Sequence, residues 1–227
     1  MKDYKYLLFD ADNTLFDFNK CENEAFKLAV TPFGVEYTDE IYALYHVIND
    51  NLWKLLEKGG TTRDELKVER YRQLFDALGC DADCVSVAKN YEKCLGNQYF
   101  EIEGNYEVVK KLYGKYKLFV ITNGLTTVQN SRFSKSRLTP LFEKIYISEQ
   151  MGASKPSSAF FDKVICDIGD YELSHYLVIG DSLTSDIDGA IGYGIDSCWY
   201  NRDSSDSGGR DITYEIKEMS ELLSILN

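Results

Sequence analysis

Five short apolar runs, at residues 4–9, 117–121, 144–147, 176–179 and 196–200, are separated by stretches of helical periodicity, and this limits the chain to few folds. Strands buried on both faces read as unbroken apolar runs, and such strands alternating with helices imply a parallel sheet with crossover helices, an α/β architecture. Between the first two runs, residues 10–116 carry no further strand signal, whereas a crossover needs only on the order of a dozen residues. The surplus, 19–100, reads as an inserted all-helical domain, leaving 1–18 and 101–227 as the core, with hinge strands at 16–18 and 98–104. Two helical faces are expected in the insertion, one carrying Ile41, Leu44, Tyr45, Ile48, Leu52 and Leu55, the other Leu66, Tyr71, Leu74, Phe75 and Leu78. Gly59-Gly60 breaks the chain between them, either as an ordinary helix connection or as a turn aimed at a site.

The first apolar run ends abruptly in Asp10-Ala11-Asp12-Asn13-Thr14. Ligands of open parallel sheets gather outside the carboxyl ends of the strands. Two crowded carboxylates there repel one another and call for a hard divalent cation such as Mg2+. An ionised Asp beside a metal can also attack phosphorus. Asp, Asn and Thr equally serve to end a strand and start a turn, so this block alone does not choose. Three later blocks do. The second run ends in Thr122-Asn123-Gly124, where a hydroxyl and backbone N–H groups ahead of a helix make an anion cradle. In Ser154-Lys155-Pro156 the proline biases Lys155 toward an extended conformation, suited to a fixed cation facing a phosphate. The fourth run leads into Gly180-Asp181-Ser182-Leu183-Thr184-Ser185-Asp186, which supplies a further acid opposite Asp10.

These four blocks, in this order, resemble the haloacid dehalogenase superfamily, most of whose members are aspartate-nucleophile phosphatases. The resemblance implies a Rossmann-like three-layer core with a helical cap that closes over the site. It implies Asp10 as nucleophile and metal ligand, and Asp12 as general acid and base with its backbone carbonyl on the metal. Thr122, Asn123 and Lys155 are implied as phosphate binders, with Lys155 also restraining the nucleophile's charge. Asp181 is implied as a direct metal ligand and Asp186 as one acting through water or from outside the ligand set. Asn13 stands where the family often has glycine. The carboxylate at position 12 argues for phosphoryl transfer over dehalogenation. Further pieces, including Asn51-Leu52-Trp53, Ile147-Ser148-Glu149 and Cys198-Trp199 with Asn201, resemble the pyrimidine 5'-nucleotidase subgroup, which implies a nucleoside monophosphate, modified pyrimidines included, as the small-molecule partner. The competing readings are a sugar-phosphate or phosphoglycolate-type phosphatase, a phosphomutase, and a non-catalytic binding protein on the same fold.

Composition narrows the classes further. The 227 residues carry 25 basic and 37 acidic side chains, a net charge of −12 that provides no basic stripe for a nucleic-acid polymer. No apolar stretch approaches 18 residues and no basic-then-apolar leader opens the chain, so neither a membrane span nor secretion is expected and a cytoplasmic location is. Cys21, Cys80, Cys84, Cys94, Cys166 and Cys198 form no CxxC pair and are expected to be reduced core residues. Tyr45, Asn51 and Trp53 offer a stacking wall for a base, but aromatic residues at helical spacing read first as core. His46 and His175 lie away from the acidic blocks, which argues against histidine catalysis. The Ser-, Asp- and Gly-rich run 202–210 reads as a mobile surface loop.

Overall fold

The computed structural model describes residues 2–226. Its strands are β1 (Tyr6–Phe9), β2 (Lys117–Thr122), β3 (Lys144–Ile147), β4 (Tyr176–Gly180), β5 (Asp196–Tyr200) and β6 (Tyr214–Ile216). The helices are α1 (Phe18–Val30), α2 (Asp39–Glu57), α3 (Arg63–Leu78), α4 (Cys84–Leu95), α5 (Asn105–Leu112), α6 (Thr126–Phe133), α7 (Ser148–Met151), α8 (Ser158–Ile168), α9 (Asp188–Tyr193) and α10 (Leu222–Ile225). None is long and apolar enough to cross a membrane among the described residues. The chain separates into two compact units, one running to Phe18 and resuming at Tyr99, the other Asn19–Gln98.

The first unit is a six-stranded parallel sheet in the order β3-β2-β1-β4-β5-β6. Period-two alternation sends successive side chains to opposite faces. Leu7, Phe9, Leu118, Val120, Leu177 and Ile179 pack in one core with Val108, Val109 and Leu112 of α5, Phe133 of α6 and Leu222 of α10. Leu8, Phe119, Ile121, Tyr176 and Val178 pack in the other with Phe160, Phe161, Val164 and Ile165 of α8 and Ala190 of α9. The result is a three-layer, Rossmann-like α/β unit. The order reverses beside β1: the chain passes from β1 outward through β2 to β3, then returns to β4 on the opposite flank. Loops leave the β1 and β4 carboxyl ends in opposite directions there, opening the crevice in which such folds bind ligands.

Several details depart from the sequence expectations. The stretches expected as hinge strands meet at a single antiparallel bridge, Phe16 with Glu101, flanked by hydrogen bonds from Asp17 N to Phe100 O (2.8 Å) and from Ile102 N to Leu15 O (3.1 Å), and α1 already begins at Phe18. β6 was not expected. The 202–210 run is irregular but anchored, by Asn201 bonding Ser205 through both side-chain atoms and by a two-point pair of Arg210 with Asp188. All six cysteines are free, yet only Cys21 and Cys198 are buried, and Cys166 is exposed.

The helical unit packs around aromatic rings: Tyr45 stacks on Phe26 and Tyr71, and Tyr91 meets Tyr45 and Tyr71 edge-on. Tyr45 is therefore core, while Asn51 is exposed and Trp53 half-buried. The α2 face is narrower than expected: Tyr45, Asn49 and Leu52 are buried, whereas Leu44 and Leu55 are exposed. The periodicity hid a polar chain. Glu22, fully buried, accepts from Asn49 Nδ2 (2.7 Å) and Tyr42 (3.1 Å) and pairs with His46 Nδ1 (2.6 Å), and Asn49 Oδ1 accepts from the buried Arg70 (3.1 Å). The hydrogen bond to Glu22 raises the His46 pKa against the opposing effect of burial. Replacing Glu22 by Leu strands these donors around a buried guanidinium, and the expected cost is ~3 kcal/mol. Urea denaturation reads it; a midpoint equal to wild type would show that the chain does not support the unit.

Candidate active site

Asp10 follows β1 directly, and its backbone N–H extends the ladder to Ile179 O (2.8 Å), so the carboxylate stands at the sheet's carboxyl edge. One of its oxygens lies 2.6 Å from Lys155 Nζ. Lys155 is only 1% exposed, and its ammonium also donates to Asp186 Oδ1 (2.6 Å) and to the Ile121 carbonyl (2.8 Å). All three ammonium hydrogens therefore have acceptors. Burial opposes the charge on Lys155, but Asp10 and Asp186 outweigh it and its pKa is raised. The loop is set by Asn123, whose Oδ1 accepts from Lys155 N (3.0 Å) and whose Nδ2 donates to Lys155 O (2.8 Å). Because that side chain clamps the lysine backbone, the anion-binding expectation for Asn123 rests on its backbone N–H.

Asp181 leaves β4 beside Asp10, and the Trp199 indole of β5 holds its carbonyl (2.8 Å). Asp186 sits in one turn of π-helix, Leu183–Ile187, capped by Ser182. A Cβ on Gly180 would fall 2.3 Å from Asp186 Oδ2, so only glycine lets that carboxylate lie against the end of β4. Asp10, Asp181 and Asp186 each place an oxygen within 4.8 Å of the others, a cluster able to hold a metal ion. This places Asp186 in the candidate ligand set on geometry, alongside the more distant role that the sequence suggested.

The cluster is electrostatically strained. Burial, reinforced by Asp186, Asp181 and Asp12, drives Asp10 well above the usual carboxylate range against the opposing pull of Lys155. Burial and then Asp186 push Asp181 up to about 7, against its own backbone hydrogen bond, Lys155 and Thr14. Four carboxylates, Asp10, Asp12, Asp181 and Asp186, face two cations, Lys155 and Arg132. A divalent cation matches the uncompensated charge and suits the all-oxygen donor set.

Asp12 is held differently. One oxygen pairs with Arg132, and the other accepts from Gln129 Nε2 (2.7 Å). Arg132 is fully buried, its guanidinium carbon 4.5 Å from the Phe16 ring centroid. Asn13 adopts φ +58°, the left-handed region that Asn tolerates without glycine's flexibility, and its side chain caps Phe18 N (3.0 Å). Thr122 is buried at the end of β2, and its hydroxyl oxygen accepts from Gly124 N (3.1 Å) and Gln129 Nε2 (3.2 Å). The helix following this cradle is partly answered already, because Glu149 accepts from Thr126 N (2.8 Å) in the first turn of α6.

Gln129 and Arg132 were missed from the sequence, and Glu149 was singled out only within the Ile147-Ser148-Glu149 piece, with no role at the site. The signal was present for two of them: positions 128, 129, 132 and 133 form the buried face of α6, and a Gln and an Arg occupy places where apolar residues belong.

The haloacid dehalogenase-like hydrolase family model matches residues 7–200. The HAD-hydrolase YfnB of Bacillus subtilis is 36% identical across 100% of this chain and 97% of its own, and its crystal structure, bound to magnesium and described as revealing interdomain movement, superposes with a TM-score of 0.94 over the whole of both chains. The pyrimidine 5'-nucleotidase PynA of Streptococcus pneumoniae is 34% identical across 99% of this chain and 95% of its own. The pyrimidine 5'-nucleotidase YjjG of Escherichia coli is 26% identical across 98% of each.

The raised carboxyl groups predict a pH signature. Between roughly pH 4, the unfolded carboxyl value, and about 7, the value to which Asp181 is pushed in the fold, Asp10 and Asp181 bind more protons in the folded protein than in the unfolded chain. Without a cation these groups therefore cost stability progressively as pH rises through that window. Mg2+ competes with the same protons, so the rise in Tm on adding it is expected to be larger at about pH 7.5 than at about pH 5. An equal rise at both would contradict binding at these carboxylates.

Proposed function

The chain belongs to the haloacid dehalogenase-like hydrolase family and is a phosphoric monoester hydrolase, and we propose that it uses Mg2+ and an aspartyl-phosphate on Asp10 to dephosphorylate pyrimidine nucleoside monophosphates. The observation that carries this reading is the buried Lys155 ammonium held between Asp10 and Asp186, with the Asp181 carboxylate in the same cluster. Asp10, Asp181 and the backbone carbonyl of Asp12 would hold Mg2+, with Asp186 beside them. When bound, the ion supplies positive charge that ionises the buried carboxyl groups and offsets the charge of the phosphoryl oxygens.

Ionised Asp10 attacks phosphorus, an O–P bond forms, and the bond to the leaving oxygen breaks. Asp12, entering the step as the protonated acid, delivers its proton to that oxygen and is left as the carboxylate. It then takes a proton from the water that attacks the phosphorus of the acyl phosphate, releasing inorganic phosphate and restoring Asp10. Lys155 and the Thr122 hydroxyl balance the charge of the transferring group. Every group in this sequence lies in the α/β unit, and none addresses the leaving group beyond its bridging oxygen. The helical unit, 19–98, is therefore proposed as the cap that selects the nucleoside, a role favoured by the names of PynA and YjjG.

Phosphate release from pyrimidine and purine monophosphates and from sugar phosphates, with and without Mg2+, tests the substrate class. A Mg2+-dependent preference for pyrimidine monophosphates is expected; a preference for sugar phosphates would overturn the nucleotide assignment. Asp10→Asn is expected to abolish turnover, and activity within tenfold of wild type would exclude Asp10 as nucleophile. Asp181→Asn is expected to raise the Mg2+ concentration for half-maximal activity by about tenfold or more, and an unchanged titration would remove Asp181 from the ligand set.

A further inference from the structure

A phosphate-binding hydroxyl is useful only if its single proton points at the phosphate. A threonine hydroxyl has one proton to give and two lone pairs to receive. In Thr122 both acceptor positions are filled, by Gly124 N (3.1 Å) and by Gln129 Nε2 (3.2 Å). The second hydrogen of the same Gln129 amide goes to Asp12 Oδ2 (2.7 Å). We propose that Gln129 is a positioning residue that commits the Thr122 proton to the phosphoryl group and fixes the Asp12 carboxylate next to it. This inference rests on the phosphatase reading above and extends it to a residue that the motif blocks omit.

Two observations set this apart from ordinary packing. Gln129 is 1% exposed and its Oε1 is buried with no hydrogen-bond partner among the described residues, so the fold bears an unsatisfied acceptor to keep Nε2 where it is. With Asp12 in its carboxylate form, the alternative amide orientation would set Oε1 against an Asp12 oxygen, so in that form the orientation is determined by its acceptors. In addition, a Cβ on residue 124 would lie 2.2 Å from Gln129 Nε2. Gly124 thus both donates to the hydroxyl and leaves the space through which the amide reaches it. Arg132, one turn further along α6, holds the other Asp12 oxygen, so the carboxylate keeps a partner when Gln129 is removed and the effect of Gln129 on Thr122 can be read separately.

Gln129→Met keeps the shape and removes both donors, and Gly124→Ala displaces the amide by crowding. Both are compared with Thr122→Val and with the Gln129→Met/Thr122→Val double variant. The measurements are kcat, KM and the inhibition constant of inorganic phosphate in the presence of Mg2+, with far-UV circular dichroism and Tm confirming the fold. Each single variant is expected to weaken phosphate inhibition and lower kcat by about tenfold. The double variant is expected to bind phosphate no worse than Thr122→Val alone, because Gln129 acts through that hydroxyl. A merely structural role would lower Tm and leave the phosphate constant unchanged. Multiplying losses in a folded double variant, or a Gln129→Met phosphate constant within twofold of wild type, would overturn the proposal. A wild-type protein that releases no phosphate from any ester would instead overturn the functional reading on which it rests.

Discussion

A lysine ammonium that is 1% exposed is the interaction on which the α/β unit is organised. Removing such a charge from water costs several kcal/mol unless its hydrogens are all engaged and opposite charges stand close. Lys155 meets that condition only because three segments distant in sequence converge: Asp10 after β1, the Ile121 carbonyl of β2, and Asp186 after β4. The dependence is mutual. Asp10 and Asp186 are themselves buried, and neither would tolerate its position without the cation between them. The Asn123 clamp and the missing Cβ at Gly180 follow from the same requirement, since one holds the lysine loop in place and the other admits the carboxylate.

A parallel sheet makes such a convergence possible because every strand ends at the same edge. At that edge burial opposes every charge. At Lys155 the neighbouring Asp10 and Asp186 outweigh it and keep the ammonium charged, whereas at Asp10 and Asp181 it prevails and pushes the carboxyl groups toward their neutral forms. With its carboxylates ionised the cluster is short of positive charge by the amount a divalent ion carries, a physical reason for the proposed use of a metal. Asp12 adds to this balance from outside the cluster, tied to α6 by Gln129 and Arg132.

The strands were legible because each of five is a run of apolar residues buried on both faces. β6 was not, since in Tyr214–Ile216 only Ile216 is buried, too little for a recognisable run. The blocks ending in Asp10, Thr122 and Asp181 were legible as candidates because polar residues there follow directly on apolar runs, where strands stop. Gln129 and Arg132 were hidden by the opposite circumstance: they occupy the buried face of an eight-residue helix and gain meaning only from the partners the fold brings to them. The same holds for Glu22, Asn49 and Arg70 in the helical unit, where polar residues interrupt the apolar faces. Leu44 and Leu55 were assigned to the α2 core face by period alone, yet they lie at its margin and are exposed.

The most direct test is whether Asp10 carries phosphorus during turnover. Asp12→Asn retains the proposed nucleophile but removes the group proposed both to protonate the leaving oxygen and to activate the hydrolytic water; with an aryl phosphate, whose leaving oxygen needs no proton, only the second loss matters and the covalent species is expected to accumulate. After brief mixing with an aryl phosphate, Mg2+ and an acid quench, peptide mass spectrometry of this variant is predicted to find a phosphoryl group on Asp10, and none without Mg2+. Phosphate release by the wild-type enzyme with no phosphoryl group on Asp10 in either protein would contradict the covalent mechanism.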